Sequence, residues 1–188
     1  MSPQPTLTTE RLLLRPLTLA DAPEVQRLAG EREIAATTAA IPHPYPDGAA
    51  EDWIETHPGR FARGEAAVFA VTHLPDGALL GVVGLEIDTE TQRAELGYWI
   101  GKPYWNQGYA SEAAAAVVRF ALSDLGLRRV FARHFSGNPA SGRVMQKIGM
   151  RHEGTLRKHA VKWGEVHDLE IYGLLAGERI ITPDARSR

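Results

Sequence analysis

The residues with the clearest chemical potential run from Tyr104 to Ala116, YWNQGYASEAAAA. An aromatic loop carrying one glycine passes directly into a strongly helical segment. The strand-like run RAELGYWI (93–100) precedes it, so the unit reads strand, short loop, helix. A helix entered this way leaves several backbone N–H groups unpaired, aimed at one spot, with the positive end of the helix dipole behind them. That is a seat for phosphate, and a phosphorylated cofactor would bind here. Taken alone, the same stretch also reads as a plain alanine-rich strand-to-helix turn.

Composition bounds the function. At 188 residues the chain can bury a substantial core, and we expect one domain over 8–177 with loose termini at 1–7 and 178–188. A net charge of -2 supplies no basic field, so nucleic acid is not an expected partner. There is no cysteine, which excludes disulfides, thiolate metal sites and an acyl-cysteine intermediate. The seven histidines form no HExxH motif, so no metal is expected. The start MSPQPTLTTE does not read as a signal peptide, and no apolar run reaches membrane-span length. The expectation is a cytoplasmic protein with no membrane partner.

The elements that must position the cradle follow from pattern. RLLLRPL (11–17) predicts a first strand, and Thr18 with Asp21 three residues later predicts a capped helix to about Ala29, disturbed by Pro23. IPHPYPDG (41–48) is a structured loop, and 49–57 predicts a short helix. Strands at 66–74, 78–87 and 93–100 form an antiparallel meander. A helix from about Ala110 to Asp124, stopped by Gly126, crosses to a strand at 130–135, which should lie parallel to 93–100. Asn138 caps a helix with Pro139 at its first position, Gly149 ends it, and 151–175 is a long hairpin turning at Trp163-Gly164-Glu165. The fold class is α/β in the mixed α+β sense, a mostly antiparallel sheet with one parallel β-α-β unit at the phosphate seat.

These residues resemble a family. WNQGYASEA (105–113) followed by NPASGRVMQKIGM (138–150) is similar to the GNAT superfamily of acetyl-CoA-dependent N-acetyltransferases. TERLLLRPL, IPHPY, RAELGYWI, YWNQGYASEA and EGTLR with later Gly164 and Asp168 resemble its RimJ/RimL branch, which acetylates N-terminal amines of ribosomal proteins. The resemblance spans 8–177. Two departures stand out. Trp105 occupies the Gln/Arg position of the superfamily's pyrophosphate loop, as is common in this branch. Met145 stands where many members place a tyrosine that protonates the leaving thiol, so that role must move or vanish.

The resemblance implies attack of an amine on the thioester of acetyl-CoA, by direct transfer in a ternary complex. It places the pyrophosphate on the backbone of Gln107, Gly108, Tyr109, Ala110 and Ser111, and the pantetheine arm along Trp99, Ile100 and Gly101, where an amide could serve as oxyanion donor. Glu95 is the first candidate for the base, with Glu86 its rival and a structural ion pair to Arg93 or Arg133 the plain alternative. An α-amine with a pKa near ~8 needs less help from a base than a lysine near ~10.4. Asn138 either caps its helix or meets the pantetheine amides. Ser141 either hydrogen-bonds the departing sulfur or is an ordinary helix serine. Arg143 and Lys147 could reach the 3′-phosphate of the cofactor. Tyr45, His43, Trp53, Trp163, Asp168 and Tyr172 should line the acceptor site, although Tyr172 equally suits the core. The acceptor itself stays open between a peptide N-terminus and a small amine such as an antibiotic, polyamine or amino acid. A non-catalytic acyl-CoA-binding module is the reading from another class. A homodimer is compatible with the resemblance.

Overall fold

The structure is a computed structural model that describes residues 3–182. In chain order the elements are β1 (Leu7–Thr8), β2 (Leu12–Pro16), α1 (Ala22–Ala29), α2 (Arg32–Thr37), α3 (Ala49–Ala62), β3 (Ala66–His73), β4 (Leu79–Asp88), β5 (Arg93–Ile100), α4 (Tyr109–Arg119), β6 (Arg129–Phe135), α5 (Pro139–Lys147), β7 (Arg151–Lys162) and β8 (Glu165–Leu175). The strands form one eight-stranded sheet ordered β1-β2-β3-β4-β5-β6-β8-β7. Among them only β5 and β6 pair in parallel. This is a mixed α+β fold with one parallel β-α-β unit, the architecture expected from the sequence.

Alternation along the strands sorts the side chains between two faces. On one face Ala67, Phe69, Val71, Val83, Leu85, Ala94, Leu96, Val130 and Ala132 pack against α4 and α5 in a continuous core. The alanines of α4 let that helix lie close to the sheet, and Ala113, Ala114 and Ala115 are almost completely buried. On the other face Ala66, Val68, Ala70 and Val82 pack against Val25 of α1 and Ala50 and Ile54 of α3. Those two helices cover β3 and β4 and leave the same face of β5, β6 and β8 open, where Gly97 and Arg133 are exposed.

Several boundaries differ from the sequence expectation. The helix at 49–57 extends to Ala62 with Pro58 inside it. The six residues of α2 were not anticipated. Asp21 does hold the Thr18 backbone N–H, at 2.8 Å, but the first turn is a 3-10 turn over Leu19–Asp21, and α1 begins after it. Parts of the segments expected to be loose are tied down. Leu7 and Thr8 pair with Leu14 and Leu13 in β1, and Gln4 Nε2 donates to Val68 O at 2.7 Å. At the other end Ile181 N–H donates to Ile148 O at 3.1 Å. The remainder of the expected loose termini, 1–2 and 183–188, lies outside the described residues. No helix among the described residues is long and apolar enough to cross a membrane.

Candidate active site

The cleft is made by a pairing that stops early. β5 and β6 are in register at Arg93 with Arg129, Ala94 with Val130 and Glu95 with Phe131, and the ladder ends there. From Leu96 and Ala132 onward the two strands separate. The backbone groups exposed by that separation can be identified from alternation. Gly101 N–H donates to Leu80 O on the β4 side, whereas Gln92 O accepts from Arg128 on the β6 side. Successive residues of a strand present their N–H and C=O to opposite edges. Tyr98 and Ile100 therefore face the cleft, and Trp99 faces β4. This corrects the expectation for Gly101, whose amide is already used at 2.8 Å. The Ile100 carbonyl is held by Trp105 Nε1–H at 2.6 Å, which pins the cradle loop to the end of the strand.

The cradle follows that loop. Gly108 is the N-cap of α4 with φ +83°, a left-handed conformation that glycine tolerates and other residues adopt at a cost. Among the described residues no acceptor takes the N–H of Gln107, Gly108, Tyr109, Ala110 or Ser111. Ser111 is itself buried, while Ala110 and Tyr109 are half-buried. What fixes the loop was invisible in the sequence. Glu112, 5% exposed, accepts from Thr9 Oγ1 at 2.7 Å, Arg11 N–H at 2.9 Å and Arg11 Nε at 2.7 Å. Arg11 also donates to Gln107 O at 2.9 Å and lies 4.6 Å from the Tyr109 ring centre. The turn between β1 and β2 thus clamps the cradle from behind.

The far wall of the cleft is the start of α5. Asn138 Oδ1 accepts from Ser141 N–H at 3.4 Å, a long helix cap. Ser141 Oγ lies 2.9 Å from Tyr98 Oη, and Tyr98 Oη–H also reaches Ser141 O at 3.0 Å. Burial pushes the Tyr98 phenol well above its ordinary pKa, with the Ser141 hydrogen bond acting weakly in the opposite direction. Tyr98 was missed in the sequence, where it read as one aromatic of an ordinary strand. Met145 is buried in the core. Arg143 and Lys147 are exposed on α5, away from these contacts.

On the open face of the sheet, Glu95 and Glu86 stand directly opposite each other across β5 and β4. Each carries a guanidinium. Arg133 holds both oxygens of Glu95 at 2.8 and 2.7 Å, the structural pairing foreseen as its alternative role. Arg60 of α3 holds Glu86 with both arms. In the next row Gly84 and Gly97 stand opposite each other; Val68 crowds Gly84, whereas a Cβ built on Gly97 would meet nothing within 4 Å. Trp53, Trp99 and Tyr45 pack against the adjoining core of α1, α3, β3 and β4, and burial raises the Tyr45 phenol above its usual pKa. His57 lies edge-on to Trp53 at 4.4 Å, is 5% exposed and has no hydrogen-bond partner on either ring nitrogen. Burial, with the Arg60 charge, lowers its pKa from 6.5 to about 4, so the ring is neutral near pH 7.

Two expected acceptor residues belong elsewhere. Tyr172 opposes Ala132, so it faces α5; it lies between His134 and His152 in the core, its hydroxyl accepting from Gln146 Nε2 at 3.2 Å. Asp168 accepts Lys158 N–H at 2.6 Å and shapes an irregular stretch of the final hairpin. The hairpin tip does approach the proline loop. Lys162 Nζ donates to Ile41 O at 2.7 Å, and Trp163 lies 6.0 Å from His43. The two form an arch over the open face.

Comparison with known proteins agrees with this geometry. Residues 11–151 match the family described as Acetyltransferase (GNAT) domain. YoaA of Bacillus subtilis (strain 168), named as an uncharacterized N-acetyltransferase, is 30% identical over 181 residues, spanning 91% of this chain and 97% of that protein. The crystal structure of a GNAT-family acetyltransferase from Bacillus anthracis superposes with a TM-score of 0.83 at 26% identity, covering 93% of this chain and 100% of that one. RimL, a ribosomal L7/L12 alpha-N-protein acetyltransferase solved with coenzyme A, shares the fold at a TM-score of 0.83 and 19% identity, over 96% of this chain and 100% of that one. A free run of cradle amides, a sheet split beside it and a family match across most of the chain lead to one conclusion: the chain belongs to the GNAT family and is an acetyl-CoA-dependent N-acetyltransferase.

Proposed function

We propose that the acceptor is the α-amine at the N-terminus of a protein or peptide, reached across the open face of β5, β6 and β8. The observation that carries this reading is the state of the charges there. Both carboxylates, Glu86 and Glu95, are already neutralised by Arg60 and Arg133. A polyamine or aminoglycoside needs uncompensated acid to hold its several cations. A peptide end brings one amine and a chain that fits a shallow strand-floored groove.

Bound acetyl-CoA supplies the acyl thioester. Gln107, Gly108, Tyr109, Ala110 and Ser111 hold the pyrophosphate through backbone N–H groups, and the cleft-facing Tyr98 and Ile100 amides meet the pantetheine arm. Asn138 contributes its amide side chain at the same wall. An α-amine is partly neutral at physiological pH, so only its second proton must be removed as nitrogen bonds to the acyl carbon. Glu95 takes that proton through water, held in place by Arg133. As the carbon–sulfur bond breaks, the Ser141 hydroxyl, oriented by Tyr98, hydrogen-bonds to the departing thiolate, which takes its proton from solvent. A thiol near pKa ~8.5 is already a fair leaving group, so that hydrogen bond suffices.

The test is CoA release from acetyl-CoA over matched acceptors: a peptide with a free N-terminus, the same peptide N-blocked with a free lysine, and spermidine. Turnover only with the first supports the proposal. Turnover only with the blocked peptide or spermidine overturns it.

A further inference from the structure

The open face continues past Glu95 into a cavity of about 350 Å³ between β5, β6, β7 and β8. It begins at Phe131, which is the register partner of Glu95. Gly154 leaves part of its lining bare, since a Cβ there would meet nothing within 4 Å, whereas the neighbouring Gly173 is covered by the Arg129–Glu153 pair, whose atoms come within 2.3–2.8 Å of a Cβ built there. Arg93 and Arg129, register partners on β5 and β6, both lie by the Phe131 ring, their guanidinium carbons 5.9 and 5.8 Å from its centre. Arg129 is committed to Glu153, with one contact at 2.6 Å. Arg93 is not committed in the same way. Its one acid, Asp88, lies at 3.4 Å, and both side chains are about half exposed. The lining therefore carries an excess positive charge.

We infer that this cavity is a second acceptor subsite that takes a carboxylate at the third or fourth residue of the acceptor, counted from the reacting amine, with Arg93 as its specificity-determining residue. The spacing follows from the strand. Arg93 is four residues before Gly97, the bare position beside the cleft, or about 13 Å at ~3.3 Å per residue. An extended acceptor lying along β5 covers that length in about four residues. The Phe131 ring supplies an apolar floor for the intervening chain, and a guanidinium binds a carboxylate through paired hydrogen bonds that a lone amine cannot form. The inference rests on the peptide-acceptor reading above.

The experiment compares C-terminally amidated peptides with free N-termini, identical except for Asp, Asn or Lys at the third and fourth positions, on the wild-type enzyme and on Arg93→Gln and Arg93→Glu. A second arm compares a tetrapeptide acid with its amide, which separates a terminal carboxylate from a side chain as the source. The expected result is a KM for the Asp or terminal-acid peptide about five- to tenfold below that of its neutral partner. Arg93→Gln should abolish that preference and Arg93→Glu should reverse it toward Lys, with kcat and the acetyl-CoA KM unchanged. Peptides acetylated equally whatever their charge would overturn the subsite while leaving the α-amine reading in place. No acetylation of any peptide alongside turnover of small amines would overturn both.

Discussion

The Tyr98 and Ser141 hydroxyl oxygens lie 2.9 Å apart and join the strand on one side of the cleft to the helix on the other. The phenol is held protonated by its surroundings, and the serine stands at the first turn of α5. In the mechanism proposed above, this pair takes over the leaving-group role that Met145 cannot fill.

Tyr98→Phe and Ser141→Ala should each lower kcat by about ten- to a hundredfold, at or below the low end of a general acid's contribution, with acetyl-CoA affinity nearly unchanged. Single-turnover kinetics with calorimetric binding would separate the two effects. Wild-type turnover in both variants would remove the pair from the leaving-group step.

Glu112→Gln should cost about 3 kcal/mol of stability, because it leaves the Arg11 guanidinium and two further donors facing a weakened acceptor in a largely buried site. It should also raise the acetyl-CoA KM more than the acceptor KM, since Arg11 holds the Gln107 carbonyl. Denaturant melts together with KM values for both substrates check this. An unchanged acetyl-CoA KM would show that the clamp is purely structural.

His57 predicts an acid-side loss of stability. Its folded pKa, about 4, is below the unfolded 6.5, so the unfolded chain binds the proton first as pH falls. Stability is unaffected above pH 6.5, declines between 6.5 and 4 by on the order of 3 kcal/mol, and then levels off for this group. His57→Leu should flatten that portion of a stability-against-pH curve. A curve of the same slope in the variant would place the cause elsewhere.

Gly97→Ala separates folding from acceptor binding. A Cβ at that position meets no atom within 4 Å, so the melting temperature should hold. The methyl group would occupy the bare position beside Glu95 and raise the acceptor KM several-fold. A loss of stability without a change in KM would contradict this use of the open face.

The sequence carried local information well and tertiary information poorly. RAELGYWI, the Gly108 cap and the Asn138-Pro139 start are written in neighbouring residues; β5 and α5 formed there with nearly the expected bounds, and α4 starts as expected but ends at Arg119, continuing to Asp124 as a π-helical turn. The helix α2 was missed because REIAAT is six residues long and its N-cap Glu31 makes no side-chain cap. Arg11 and Glu112 are 101 residues apart, and no spacing rule connects them. Glu95 was legible as an acid in the correct strand, whereas its bond to Arg133 depends on how β6 registers beside β5. Of the two roles open to Tyr172, the core one is decided by register, because β8 sets Tyr172 opposite the buried Ala132 of β6 and that pairing joins distant parts of the chain.

The early end of the β5–β6 ladder has one more consequence. It places an unprotected strand rim in the middle of a sheet, where most proteins carry theirs at the outside. A rim at the periphery can recruit any passing strand. This one lies at the bottom of a wedge bounded by Trp105, Asn138 and the Tyr98–Ser141 bridge. A narrow chain bearing amides suits it in single file. In the proposed binding mode, selection for the donor's arm begins with backbone and calibre before any side chain is consulted.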